Sequence, residues 1–343
     1  MQTADILSDP EKFPWRFDLN SRKVEFATMS REEIVQASFL DHRAPGESTP
    51  KSYAPLEVVL KSQVDAPKPR APAYIFHIAF CSSTLISRCL DMPGRAVALK
   101  EPLILVSLAS AKAYGDAGVQ SRHSDTFKAV NSLLARPFVG DERVVIKPSN
   151  GANSLLPDVL AQPDAKVLLL YTDIRKFMLS VVKRGQVGRF FVRSLLHQPW
   201  GSDPRISGIS KQNVMNLTDL QTAALIWQLQ TDAFSRVLTK FPASQIRALN
   251  ATDFEQNPTR ALNAIDGFFD LNLGEDRIDS VVNGPLLRQD SKYTDQEFNV
   301  ETRAQEGRDL EAMFGKDLDS VIAWANRQPF SSTKLMNSSL LGT

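Results

Sequence analysis

From residue 74 onward the chain alternates short, uniformly apolar runs with stretches whose apolar residues recur every three or four positions. The runs are AYIFHIAF (73–80), AVALK (96–100), RVVIK (143–147), AKVLLLY (165–171) and QIRALN (245–250). Short runs with no wet face are what strands covered on both sides of a parallel sheet require. The periodic stretches between them supply the covering helices. The fold class is therefore α/β, a doubly wound parallel sheet flanked by helices in three layers.

Ahead of this pattern, residues 1–43 open with an aromatic cluster, Phe13, Trp15 and Phe17. A helix is predicted next, because Ser30 with Glu33 three positions on has capping-box spacing and Ile34, Val35 and Phe39 make an apolar stripe. Prolines then recur at 45, 50, 55, 67, 69 and 72. They remove backbone donors and favour an extended linker that wraps the core, with LEVVL (56–60) as a short edge strand inside it. Beyond Gly274 the pattern weakens to one predicted helix around 309–324 and a Ser-rich end. The organisation expected is an N-terminal cap and wrapping linker (1–72), an α/β core (73–275) and a covering C-terminal segment (276–343).

Composition narrows the function. Forty Lys and Arg against 39 Asp and Glu give a net charge of +1, so no global field holds nucleic acid or an anionic membrane, and any anion site must be local. The two cysteines, Cys81 and Cys89, are too few for a disulfide framework or a metal-ligand pattern. With no apolar run near the roughly 20 residues of a membrane span and no signal-peptide pattern at the amino terminus, a cytoplasmic protein without bound metal is expected.

The first apolar run passes through Cys81-Ser82-Ser83 into TLISRCLD (84–91), whose Leu85, Ile86, Cys89 and Leu90 share a helical face before Met92-Pro93-Gly94 stops it. Strand, tight loop and helix in this order converge backbone N–H groups on one point, where a phosphate or sulfate can be held; the alternative is a capped helix with a Ser/Thr-rich start. At the end of the second run stand Lys100 and Glu101, followed by Pro102, which suits a helix start. In open parallel sheets ligands lie beyond the carboxyl ends of the strands. Glu101 there either acts as a general base or has a structural role, pairing with Lys100 or Arg95 or capping a helix. The third run ends in Lys147-Pro148-Ser149-Asn150.

With these segments in hand, the chain over 73–275 resembles the sulfotransferase superfamily. The family's P-loop-like R-S-G-S/T-T-L-L falls on Phe80-Cys81-Ser82-Ser83-Thr84-Leu85-Ile86 when the S-T-L is aligned, and its R-x-P-x-D-x-x-x-S falls on Thr172 to Ser180. The resemblance implies transfer of a sulfuryl group from 3′-phosphoadenosine 5′-phosphosulfate to a hydroxyl of an acceptor. It implies that Cys81, Ser82, Ser83, Thr84 and Leu85 hold the 5′ end of the donor, and that Thr172, Arg175 and Ser180 stand near its 3′-phosphate. It also implies that Lys147, matching the lysine of the family's K-T-H or K-D-P segment, neighbours the transferring group with Lys100, and that Glu101 is the base, since a histidine base would fall on Ser149. Lys292, in LLRQDSKY with Arg288, resembles a segment that closes over the donor.

Two departures remove cations: Phe80 stands for the first loop's Arg or Lys, and Thr172 for the 3′-phosphate Arg. Arg175, Lys183, Arg184 and Arg88 are the nearby replacements. A P-loop phosphotransferase is the rival enzyme, although GxxxxGK[ST] is missing, and a non-catalytic binding protein of the same fold is the rival class. His77, inside a strand, reads as a core residue and Trp227 as packing; Phe190, Phe191 and Trp200 are open to two readings, core, which is the commoner use of aromatic residues near helical spacing, and the lining of an acceptor pocket.

Overall fold

The computed structural model describes residues 3–65, 69–196, 216–288 and 300–342. Helix α1 (Thr3–Ser8) leads into strands β1 (Lys12–Asp18) and β2 (Lys23–Thr28), helix α2 (Arg31–Gln36), strand β3 (Lys51–Pro55) and helix α3 (Leu56–Asp65). The central part runs β4 (Ala73–His77), α4 (Ser83–Cys89), β5 (Ala96–Lys100), α5 (Leu103–Tyr114), α6 (Ala117–Ser121), α7 (His123–Leu134) and β6 (Arg143–Lys147). A 3-10 turn at Asn150–Leu155 precedes α8 (Leu156–Leu160), β7 (Lys166–Tyr171), α9 (Ile174–Lys183) and α10 (Gly185–Leu196). Then come α11 (Asp219–Leu238), β8 (Ile246–Asn250), α12 (Ala251–Gln256), α13 (Pro258–Phe269), α14 (Glu275–Asn283), α15 (Val300–Ala325) and α16 (Thr333–Met336).

Strands β4 to β8 are the five apolar runs of the sequence. They form one parallel sheet in the order β5-β6-β4-β7-β8. Every residue of β4, β5 and β6 is buried, as expected of strands with helices on both faces. Because β4 lies between β6 and β7, the loop that leaves it emerges at the middle of the sheet's carboxyl edge.

The N-terminal segment contains a three-stranded antiparallel sheet, β1-β2-β3. Phe13, Phe17, Val24 and Phe26 on it belong to the same buried cluster as the apolar residues of the main sheet. Helix α2 starts at the expected capping box: the Glu33 N–H donates to Ser30 Oγ at 3.2 Å, and the Ser30 N–H donates to Glu33 Oε2 at 2.7 Å. Residues 56–60 are the start of helix α3, not an edge strand. Leu56 and Val59 are buried while Val58 is 37% exposed, a three-residue spacing that suits a helix and breaks the alternation a half-buried strand needs.

Helix α15 contains the tail helix expected around 309–324. At the end of the chain Ala248 of β8 donates its N–H to the carbonyl of Ser338, and its own carbonyl accepts from Leu340, so the tail covers the exposed edge of the main sheet. No helix among the described residues is long and apolar enough to cross a membrane.

Candidate active site at the carboxyl edge of the sheet

The loop after β4 is tight without glycine. Phe80 and Ser82 both have positive φ, 62° and 57°, a conformation that costs of the order of 1–3 kcal/mol for such residues and persists only where surroundings enforce it. The surroundings are visible. The Ile78 N–H donates to the carbonyl of Leu170 at 3.1 Å, and the buried Cys81 thiol donates back to the Ile78 carbonyl at 2.8 Å. The Phe80 ring lies 5.5 Å from that of Phe177 on α9 and 5.4 Å from that of Phe191 on α10. Ser82 begins α4 without a capping bond from its side chain; its hydroxyl donates instead to Glu255 Oε1 at 3.2 Å. Ser83 and Thr84 are buried, so Ser82 carries the more accessible hydroxyl of the loop.

On one side of this loop the ends of β5 and β6 bring two predicted residues together. Lys147 Nζ donates to Glu101 Oε1 at 2.5 Å, and the Glu101 N–H donates to the Lys147 carbonyl at 2.6 Å. The lysine side chain is fully buried and the carboxylate 17% exposed, so the pair is drawn out of bulk water but reachable from the carboxylate side. Glu101 adopts φ 59°, which turns its side chain back across the end of β6 toward Lys147. Phe39, from the segment after α2, places its ring 5.4 Å from the Lys147 ammonium.

Lys100 is not part of this pair. Its ammonium donates to the main-chain carbonyls of Ile34 at 3.2 Å, Val35 at 3.0 Å and Ala98 at 3.4 Å. The first two are carbonyls at the end of α2, groups a helix cannot satisfy by itself. Burial pushes its pKa down to about 7, with nearby Arg88, Lys147 and Arg31 acting in the same direction and Asp91 opposing.

On the other side stand the ends of β7 and β8. Thr172, 1% exposed, lies under Trp227, whose indole N–H donates to the Thr172 carbonyl at 2.7 Å. Replacing Trp227 with Phe leaves that buried carbonyl unpaired, and a loss of about 1–3 kcal/mol in urea unfolding with an unchanged denaturant slope is expected. Arg175 is engaged by Glu311, at 3.0 Å from its Nε, and by Asp319 at 2.7 Å, both on α15. Ser180 is half-buried on α9. Arg184 lies on the Phe80 ring, 4.3 Å from its centre, and donates to the Ser180 carbonyl at 3.0 Å. Lys292 and Trp200 fall outside the described residues.

His77 is a buried end-of-strand residue, with Nδ1 2.8 Å from the Ile78 carbonyl and Nε2 3.0 Å from that of Pro148. Its own carbonyl accepts from Asn150 at 2.8 Å and Asn153 at 3.0 Å, which ties the turn after β6 to the base of the loop. Phe190 is 72% exposed, while Phe191 packs on Phe80. A cleft of about 480 Å³ lined by Lys166, Arg247 and Phe268 lies at the opposite, amino-terminal ends of β7 and β8, away from Glu101 and Lys147. Sequence reading did not single out Lys176 and Glu255: Lys176 Nζ donates to Glu255 Oε2 at 2.7 Å and to Thr252 Oγ1 at 3.1 Å. The signal was only that α9 is rich in cations.

Sheet, loop and paired charges define an open α/β protein with polar and charged side chains gathered at the carboxyl edge of its sheet, where such folds bind ligands. No protein-family model matches the chain, and no curated protein matches it. Among solved structures it is similar to a sulfotransferase domain from the curacin biosynthetic pathway, with 10% identity over 73% of this chain and 99% of that one, at a TM-score of 0.44. It is also similar to sulfotransferase STF1 from Mycobacterium tuberculosis H37Rv (14% identity, 66% and 75% covered, TM-score 0.42). A third is a sulfotransferase from Alicyclobacillus acidocaldarius (16%, 76% and 97%, 0.37).

Proposed function

We propose that the chain is a sulfuryl transferase, taking the group from 3′-phosphoadenosine 5′-phosphosulfate and passing it to a hydroxyl of an acceptor. The observation that carries this reading is the Lys147–Glu101 pair, a buried ammonium and a solvent-reachable carboxylate joined at 2.5 Å at the carboxyl ends of neighbouring parallel strands. The motif resemblance supports the choice of donor.

In this mechanism Glu101 takes the proton of the acceptor hydroxyl as its oxygen bonds to sulfur. The bond from sulfur to the bridging oxygen breaks, and its electron pair leaves on 3′-phosphoadenosine 5′-phosphate. Lys147, released as the carboxylate turns to the acceptor, neutralises charge on the departing oxygen. Such fixed charge in a dry site is worth more than the same charge in water. The backbone of the 81–85 loop holds the 5′ end of the donor, and no step calls for a metal.

The test is calorimetric titration of the full chain with 3′-phosphoadenosine 5′-phosphate, beside ATP with Mg²⁺. Micromolar binding of the first, and weak or no binding of the second, is expected. Mg²⁺-dependent ATP turnover would replace the reading with phosphoryl transfer. Absence of binding at millimolar nucleotide would leave a non-catalytic protein.

A further inference from the structure

The two departures from the family motif leave the proposed donor site short of positive charge, while Arg175, Lys176 and Lys183 on α9 and Arg184 at its C-cap lie beside it. Arg175 and Lys183 reach carboxylates of α15, Glu311 with Asp319 and Glu306 respectively. Lys176 and Arg184 reach the other way. Arg184 lies on Phe80, the residue that replaces the loop cation, and Lys176 holds Glu255, the carboxylate that accepts from the loop hydroxyl of Ser82.

Lys176, Ser180 and Arg184 are spaced four and eight apart, so they stack along one face of the helix, each about 6 Å from the next along its axis. Arg184 leans back over the turn of Ser180 and donates to its carbonyl, while Lys176, one turn earlier, reaches Glu255 on the side of the Ser82 loop. Asp173, a turn before Lys176, is already satisfied from β8 and α12, accepting from Asn250 at 3.2 Å and from Thr252 at 3.5 Å.

We propose that Lys176 and Arg184 supply, on either side of Ser180, the charge that binds the 3′-phosphate of the nucleotide, and that Glu255 is an internal competitor occupying Lys176 and Ser82 until the ligand anion displaces it. This rests on the sulfuryl-transfer reading above. Phe80 then has a positive role, since its face holds the Arg184 guanidinium over the loop by cation–π attraction. Glu255 and Lys176 are both about half exposed, so their pairing is weak enough to be exchanged for a phosphate.

The experiment is titration of the full chain and of Lys176→Gln, Arg184→Gln and Glu255→Gln with 3′-phosphoadenosine 5′-phosphate, and with adenosine 5′-phosphate, which lacks the 3′-phosphate. Each cation variant is expected to weaken the bisphosphate about 5- to 30-fold and leave the monophosphate unchanged, because one charge-assisted contact is lost. Glu255→Gln is expected to tighten the bisphosphate about 3- to 10-fold. Retained monophosphate binding shows that the loop is intact in each variant. If the parent chain prefers the bisphosphate but both cation variants keep its affinity, or if Glu255→Gln weakens it, the inference falls and the transferase reading stands. If the parent chain binds neither nucleotide, the transferase reading falls and takes the inference with it.

Discussion

Replacing Glu101 with glutamine is expected to lower sulfuryl transfer to a phenol or alcohol probe by about 10²–10⁴-fold, the range a general base contributes, while 3′-phosphoadenosine 5′-phosphate binds within about threefold of its former affinity. Glutamine keeps an oxygen to accept from the Lys147 ammonium, which donates to Glu101 Oε1 at 2.5 Å, so the hydrogen bond is retained while the proton acceptor and the negative charge beside the buried lysine are lost. Alanine separates chemistry from stability. It strands a fully buried ammonium, and breaking a buried pair in this way costs about 3–5 kcal/mol, which urea unfolding would read. Turnover of Glu101→Gln equal to that of the parent chain would remove the carboxylate from the mechanism, whatever the alanine variant does to stability.

The five strands of the main sheet were legible because each is a run with no polar face, and a run of that kind has few places to go except between two layers of helices. The antiparallel sheet was not. Phe13, Trp15 and Phe17 alternate with Pro14 and Arg16, a period of two that marks a strand, yet its partner β2 is buried along most of its length and shows little alternation of its own. The wrapping segment misled for a related reason. LEVVL is apolar enough for a strand, and the burial at 56 and 59 that makes it a helix comes from packing beneath it.

Within the candidate site, Lys147 and Glu101 were legible as strand-end charges, because parallel strands in register bring their ends side by side. The partner of Lys176 was not, since Glu255 lies 79 positions away and meets it only because β7 and β8 are neighbours. Lys100 shows the same limit. The sequence places it at the strand end, but its ammonium is captured by main-chain carbonyls of α2, and carbonyls carry no residue signature.

That capture makes Lys100 the source of a stability profile with a definite sign. In the unfolded chain the amine keeps its proton up to about the ordinary 10.5, whereas burial brings the folded value to about 7. Between these values the unfolded state binds more protons, so raising the pH favours folding. Relative to Lys100→Met, the parent chain should therefore gain stability above pH 7 at up to about 1.4 kcal/mol per pH unit, or about 2–3 kcal/mol by pH 9. Below pH 7 both states hold the proton and the difference should be flat. Asp91, whose own pKa is raised chiefly by burial, opposes the downward shift of Lys100 through its charge. Urea unfolding of both proteins at pH 6, 7, 8 and 9 measures the difference directly, and parallel profiles would mean that the amine stays charged in its cage of carbonyls. The main chain at position 100 is tied separately: its carbonyl accepts from the Leu40 N–H at 2.6 Å, next to the Phe39 ring that faces Lys147. That bond survives in Lys100→Met, so the pH profile isolates the buried amine from the wall of the Lys147–Glu101 pair.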